Sequence, residues 1–168
     1  MSGEKDSYNL SDDLRVAGVS RHDAGCAHSP ESGDSEGESD DKLAYGTETI
    51  LIVDDLQMNI DVTRDMLEYL GYQVISALSG KEAVDIYAVK KDQIDLVIQD
   101  MVMPGMDGAA VFTALKQMNP QVKVILASAY GYNEKIRSVM QRGCRAFMPK
   151  PFSLEELSTK AREVLDSP

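Results

Sequence analysis

Short apolar runs alternate with helix-like segments from Thr47 onward, and this alternation restricts the fold more than any other feature. Strands are predicted at residues 49–53, 72–76, 95–99, 122–127 and 146–148. Helical periodicity is found at residues 57–70, 79–90, 109–118, 133–141 and 153–165. Strands that alternate with helices through short loops form a parallel sheet with helices on both faces. The predicted fold class is therefore α/β, with a doubly wound five-stranded sheet.

Residues 1–46 have a different composition from the rest of the chain. They hold eleven acidic and four basic residues, which accounts for most of the formal net charge of −11. The run from Ser29 to Lys42 cannot bury enough apolar area to offset its ordering entropy. We therefore predict an acidic disordered tail or linker at 1–46 and one domain at 47–168. Possible metal ligands in this tail fit no zinc spacing, so a solvated tail is the simpler interpretation: His22, Asp23, Cys26 and His28.

Several classes of protein are disfavoured by composition. No apolar run is long enough to cross a membrane, and the N-terminus lacks the features of a secretory signal. The two cysteines, Cys26 and Cys144, lie in segments of different character and suggest no disulfide framework. No basic patch of the kind that binds nucleic acid is visible. These features favour a reducing, cytoplasmic location.

Polar residues follow four of the five predicted strands. Ligands of open α/β sheets bind beyond the carboxyl ends of the strands, so these residues are expected to lie near one another. They are Asp54 and Asp55 after the first strand, Asp100 after the third, Ser128 after the fourth and Lys150 with Pro151 after the fifth.

Such a set suggests chemistry on a phosphoryl group. Three crowded carboxylates repel one another unless a cation joins them, and Mg²⁺ prefers oxygen ligands of this kind. A nearby lysine suits a further anion, and phosphoryl transfer depends largely on positioning and charge neutralisation. Asp100 stands alone at mid-sheet and is the better candidate nucleophile, whereas Asp54 and Asp55 suit metal binding.

Four motifs in order, ILIVDD, DMVMPGMDG, VILASA and FMPKPFSLEEL, resemble the receiver domain of two-component response regulators. The resemblance covers about residues 48–166. It implies the flavodoxin-like (βα)5 fold with strand order 2-1-3-4-5. It also implies that Asp100 is the phosphoacceptor. Asp55, Asp100 and the main-chain carbonyl of Val102 would bind Mg²⁺ (or Mn²⁺) directly, and Asp54 would hold it through water.

The resemblance assigns further roles at the ends of strands four and five. Ser128 and Lys150 would contact the phosphoryl group, and Ser128 and Phe147 would switch conformation on phosphorylation. The Lys150–Pro151 peptide bond is expected to be cis. Val102 and Tyr130 occupy positions that tune phosphoryl lifetime in the family.

Apolar residues beside the acid pair have two interpretations. Leu56, Met58 and Ile60 form either a docking edge for the phosphodonor or part of the packing of the first helix.

The leading hypothesis for function is a phosphorelay receiver that accepts a phosphoryl group from a phosphohistidine and then changes its protein contacts. The donor would be a sensor histidine kinase or histidine phosphotransfer protein, because residues 47–168 contain no histidine. The downstream protein target is unknown, and no DNA-binding domain or membrane segment is expected.

Two alternatives remain open from the residues. One is a Mg²⁺-dependent phosphohydrolase with an aspartyl nucleophile, although enzymes of that type place one residue between the acids at strand one, where Asp54 and Asp55 are adjacent. The other is the C-terminal receiver of a hybrid histidine kinase, since GTETILIVDD follows an acidic linker. A stand-alone receiver that is not itself an enzyme is preferred.

Overall fold

A computed structural model of the chain describes residues 43–168, which contain a five-stranded parallel sheet in the order β2-β1-β3-β4-β5. The strands are β1 Thr49–Val53, β2 Gln73–Ala77, β3 Leu96–Asp100, β4 Val124–Ser128 and β5 Ala146–Pro149. The helices are α1 Gln57–Tyr69, α2 Gly80–Lys90, α3 Gly108–Met118, α4 Glu134–Gln141 and α5 Leu154–Leu165. The predicted fold class and strand order are confirmed. The boundaries shift by one or two residues, as they do between assignment methods.

Two apolar layers hold the domain together, one on each face of the sheet. Successive strand side chains alternate between faces, so Val97 packs on the layer under α2, α3 and α4 while Ile98 packs on the layer under α1 and α5. The three central strands are buried on both faces, which explains why their sequences are almost continuously apolar.

Polar caps set the start of the helices that follow the strand ends. The Asp107 carboxylate accepts the Ala110 N–H at 3.0 Å and so begins α3 directly after the Asp100 loop. Ser153 and Glu156 form a reciprocal capping box at the start of α5. These caps fix where the loops beyond β3 and β5 end, and therefore where their side chains lie.

The buried face of α1 decides between the two interpretations of Ile60. The fully or nearly buried residues of the helix are Ile60, Thr63 and Leu67, whereas Val62 is half exposed. These three buried residues follow the i, i+3, i+7 spacing of a buried helix face. Ile60 therefore packs in the core beneath α1, and a place for it on an exposed docking edge is contradicted.

The segment 43–48 packs on the domain and begins before the predicted boundary at Thr47. Leu43 contacts the core layer under α1 and α5. The Ala44 N–H donates to Ser158 Oγ at 2.6 Å, and the same hydroxyl donates to the Ala44 carbonyl at 3.0 Å. The remainder of the predicted acidic tail, including the His22–His28 cluster, lies outside the described residues.

Glu48 links this segment to α5 through a bidentate ion pair with Arg162. The Arg162 Nη2 atom lies 2.6 Å from Glu48 Oε1, and Nη1 lies 3.2 Å from Oε2. Hydrogen bonding from Arg162 lowers the pKa of Glu48 to about 2.

We expect Glu48→Gln to lower the free energy of unfolding by about 1 kcal/mol at pH 7, less than the pKa shift suggests because solvent screens a partly exposed pair. The difference from the wild type should be full above about pH 4.5 and vanish as the pH falls towards 2, because the folded-state pKa is depressed. Urea unfolding of both proteins between pH 2 and 7 measures this. A difference that is constant over that range would contradict the assignment.

No helix within residues 43–168 combines the length and apolar character needed to cross a membrane.

Candidate functional site

The carboxyl ends of β1, β3 and β5 bring two acids and a lysine together. Asp54 follows β1, Asp100 is the last residue of β3, and Lys150 follows β5. Strands β1 and β3 are neighbours, and β4 separates β3 from β5. The long Lys150 side chain therefore reaches across β4 to the two acids.

The Lys150 ammonium bridges both carboxylates. Its Nζ lies 2.5 Å from Asp54 Oδ2 and 3.1 Å from Asp100 Oδ1. The side chains are largely buried, with exposed fractions of 18% for Lys150, 5% for Asp54 and 12% for Asp100. Burial costs each ion solvation, so the three groups depend on one another for neutralisation. One ammonium facing two carboxylates leaves an excess of negative charge in a poorly solvated site.

Asp54 is held by two further donors. Its Oδ1 accepts the Leu56 N–H at 2.9 Å and the Asn59 side-chain amide at 3.0 Å. These bonds fix the carboxylate before any ligand binds. Asn59 was not predicted as a site residue. Its position in the first turn of α1, five residues after Asp54, was the available signal.

Asp100 lies in an environment that disfavours its charge. Burial raises the pKa of Asp100, and the nearby Asp54 acts in the same direction, while Lys150 opposes the shift. The other oxygen, Oδ2, accepts the Val102 N–H at 3.3 Å, which is long for a hydrogen bond. Oδ2 is therefore only weakly hydrogen-bonded, and an additional cation beside it would stabilise the charged carboxylate.

Ser128 and Phe147 occupy the neighbouring strands β4 and β5. The Ser128 hydroxyl is buried and accepts the Tyr130 N–H at 3.1 Å, and within residues 43–168 it makes no hydrogen bond to Asp100 or Lys150. Phe147 is half-buried and packs edge-on against Tyr132, with ring centroids 5.7 Å apart. The Lys150–Pro151 peptide bond is cis.

The carboxylate oxygens of this site are ligands of the kind that Mg²⁺ prefers, although they do not converge on one point in the structure. Within the described chain no three acid, histidine or cysteine side chains converge in a way that would hold an ion. Lys150 lies between Asp54 and Asp100 instead. The Asp55 carboxylate is half-buried and has no hydrogen bond or ion pair to the described residues. An unpaired carboxylate beside an excess of negative charge fits a hard divalent cation with oxygen ligands.

Beside the acids, an apolar groove opens between α1 and the β5–α5 loop. Met58 is 73% exposed and Leu56 is 55% exposed. The groove is lined by residues of both elements and by Ala129 after β4: Met58, Asn59, Val62, Thr63, Met66, Ala129, Lys150, Pro151 and Phe152. Leu56 and Met58 of the predicted docking edge are therefore accessible, and Met58 lines the groove together with Val62 and Met66.

The sequence matches a family model and several curated proteins. The model of the response regulator receiver domain matches residues 50–162. Over 118 residues the chain is 34% identical to sporulation initiation phosphotransferase F of Bacillus subtilis, covering 70% of this chain and 94% of that protein. It is 35% identical over 121 residues to sensor kinase CckA of Brucella abortus, which covers 72% of this chain but only 13% of that kinase.

A solved structure shares the fold. A chain in the CheX–CheY–BeF3–Mg²⁺ complex from Borrelia burgdorferi superposes with a TM-score of 0.68 at 26% identity, covering 71% of this chain and 90% of the other. The family model covers more than half of the sequence. The chain therefore belongs to the response regulator receiver family.

Proposed function

We propose that Asp100 accepts a phosphoryl group from a phosphohistidine of a partner protein. One Asp100 oxygen attacks phosphorus, the bond between phosphorus and the donor imidazole nitrogen breaks, and the imidazole takes up a proton. The product is an acyl phosphate on Asp100. The observation that carries this proposal is a buried carboxylate at a strand end, held 3.1 Å from a lysine ammonium and within a site of excess negative charge.

Asp54, Asp55, Asp100 and the main-chain carbonyl of Val102 would hold Mg²⁺. When bound, the ion neutralises charge on the phosphoryl oxygens and on the carboxylates. Lys150 then no longer has to neutralise Asp54 and is free to pair with a phosphoryl oxygen. In the structure, the Lys150 ammonium supplies the positive charge that Mg²⁺ would supply to Asp54 and Asp100.

Ser128 and Phe147 would carry the signal outwards. To donate its hydroxyl to a phosphoryl oxygen, Ser128 would turn towards the site and carry with it the Tyr130 N–H whose hydrogen bond it accepts. That movement shifts the loop before α4, which carries Tyr132, the contact of Phe147. Phosphorylation would thus bias two arrangements of the surface formed by α4, β5 and α5, where the downstream protein would bind.

The groove beside α1 is the proposed docking surface for the phosphodonor. It borders Lys150 and is apolar, so a helix of a histidine kinase or phosphotransfer protein could pack there close to Asp100. A single-domain relative and a whole sensor kinase both contain this domain, so we define the partner by its phosphohistidine and not by its architecture.

We expect Met58→Asp to slow transfer from a phosphohistidine protein at least about tenfold, since it places a charge in an apolar interface. Uptake from acetyl phosphate should stay within about twofold, because this small donor needs no docking surface. Radiolabel transfer with each donor separates the two effects. Val89→Asp, on a similarly exposed apolar residue of α2, is the matched control, and equal slowing with both donors would contradict the docking role.

The experiment that tests phosphoacceptance is incubation of the full chain with acetyl phosphate and MgCl₂, followed by intact mass measurement. We expect a gain of one phosphoryl group that is stable in acid, lost in base, dependent on the divalent ion and absent in Asp100→Asn. No gain in the wild type, or an equal gain in Asp100→Asn, would overturn the proposal. Steady release of phosphate over many turnovers from small phosphate esters would instead support the phosphohydrolase alternative.

A further inference from the structure

Gln99 is a fully buried polar residue directly before Asp100. Its exposed fraction is 0%. It pairs in register with Val53 of β1 and Leu126 of β4, both of which belong to the apolar layer under α2, α3 and α4. An amide in such surroundings costs free energy unless its polar atoms are hydrogen-bonded. The presence of a glutamine at this buried position therefore needs a reason other than apolar packing.

The Gln99 amide connects the two ends of the loop that follows Asp100. Its Nε2 donates to the Gly108 carbonyl at 2.5 Å, and Gly108 is the first residue of α3. A second bond closes the same loop, from the Gly108 N–H to the Met101 carbonyl at 3.1 Å. The segment enclosed by these bonds, 101–107, carries Val102, whose N–H faces the Asp100 carboxylate.

The carbonyl oxygen of the Gln99 side chain accepts no hydrogen bond from the described residues. This oxygen, Oε1, is buried. An apolar side chain of similar length would fill this space without an unpaired oxygen, and the Gly108 carbonyl would still have the amide of the first helical turn as a partner. Stability therefore does not explain a glutamine here.

We propose that Gln99 is a positioning residue that holds the 101–107 loop so that the Val102 carbonyl stays where Mg²⁺ requires it. The inference rests on the proposed function, because that function assigns Val102 to the metal. Groups that orient metal ligands without touching the ion typically change metal affinity 10- to 100-fold when removed. Gln99 would act through the loop and touch neither the ion nor the phosphoryl group.

The test is a titration of the full chain with MgCl₂, followed through backbone amide shifts, for wild type and Gln99→Met. We expect about tenfold weaker Mg²⁺ binding in Gln99→Met, a melting temperature equal to or above that of the wild type, and an unchanged rate of phosphorylation at saturating Mg²⁺. Gln99→Leu is measured in parallel. If both variants fail to fold, the amide is required for the fold itself and the proposal is overturned.

Val97→Ala is the matched control, since Val97 is fully buried on the same strand and the same face. It should lower the melting temperature and leave Mg²⁺ binding unchanged. Equal Mg²⁺ affinity of Gln99→Met and wild type, or an equal loss in Val97→Ala, would overturn the positioning role while the proposed function stands. A wild type that neither binds Mg²⁺ nor gains a phosphoryl group would overturn both.

Discussion

Lys150→Met should lower the free energy of unfolding by about 3 kcal/mol at pH 7 in the absence of divalent ions, because removing one partner of a buried pair leaves uncompensated charge. The variant leaves Asp54 and Asp100 facing each other with exposed side-chain fractions of 5% and 12%. Acid should reduce the loss, since burial already raises the pKa of Asp100 and a protonated carboxyl needs no cation. Urea unfolding at pH 5 and pH 7 measures both effects.

Mg²⁺ should recover most of the stability lost in this variant, because it supplies the charge that Lys150 provides in the present structure. Uptake of a phosphoryl group should nevertheless stay severely reduced, since the ammonium also faces the acceptor oxygen at 3.1 Å. Lys160→Met removes a partly exposed lysine paired with Glu163 and should change stability by less than about 0.5 kcal/mol. Equal effects of the two substitutions, or a loss that Mg²⁺ does not reduce, would contradict the role given to Lys150.

Gly108→Ala should lower the free energy of unfolding by about 3 kcal/mol, the upper range for overpacking. A Cβ at this position would lie 2.5 Å from the Asp100 carbonyl oxygen and 2.8 Å from Met101 Cα. Both are backbone atoms and cannot turn away. The loop and the start of α3 must therefore separate from β3, and we expect this separation to weaken the proposed binding of Mg²⁺ as well.

Gly131→Ala is the matched control for this steric argument. No atom lies within 4 Å of a Cβ built there, so stability should change by less than about 0.5 kcal/mol. Thermal unfolding of both variants with and without Mg²⁺ checks the prediction. A Gly108→Ala protein that is as stable as Gly131→Ala would show that the loop can move freely away from β3.

The fold was predictable because local patterns and tertiary structure agree. Central strands that are buried on both faces have continuous apolar sequences, which can be recognised. Short connections between strands and helices then allow only a few topologies for a parallel sheet. The start of α1 was the exception. Ile60 stands beside the acid pair and so had two interpretations, and only the structure shows that the buried face of α1 includes it.

Strand-end acids were predictable from sequence, whereas the contacts that orient them were not. Asn59 and Gln99 act through hydrogen bonds to Asp54 and Gly108 that depend on the three-dimensional arrangement. The bridging position of Lys150 between two acids is likewise a property of the folded sheet. The packing of residues 43–46 was missed because Leu43 shows no periodicity with its neighbours, and its contact with the core involves residues far away in sequence.

The most direct test of the central claim is to locate the phosphoryl group. The chain phosphorylated with acetyl phosphate and Mg²⁺ is reduced with borohydride, which converts an aspartyl phosphate to homoserine, and its peptides are sequenced by mass spectrometry. We predict that homoserine replaces aspartate at Asp100 only, and that Asp54 and Asp55 are unchanged. Homoserine at Asp54 or Asp55, or a phosphoryl group retained on another side chain, would contradict the assignment of Asp100 as the acceptor.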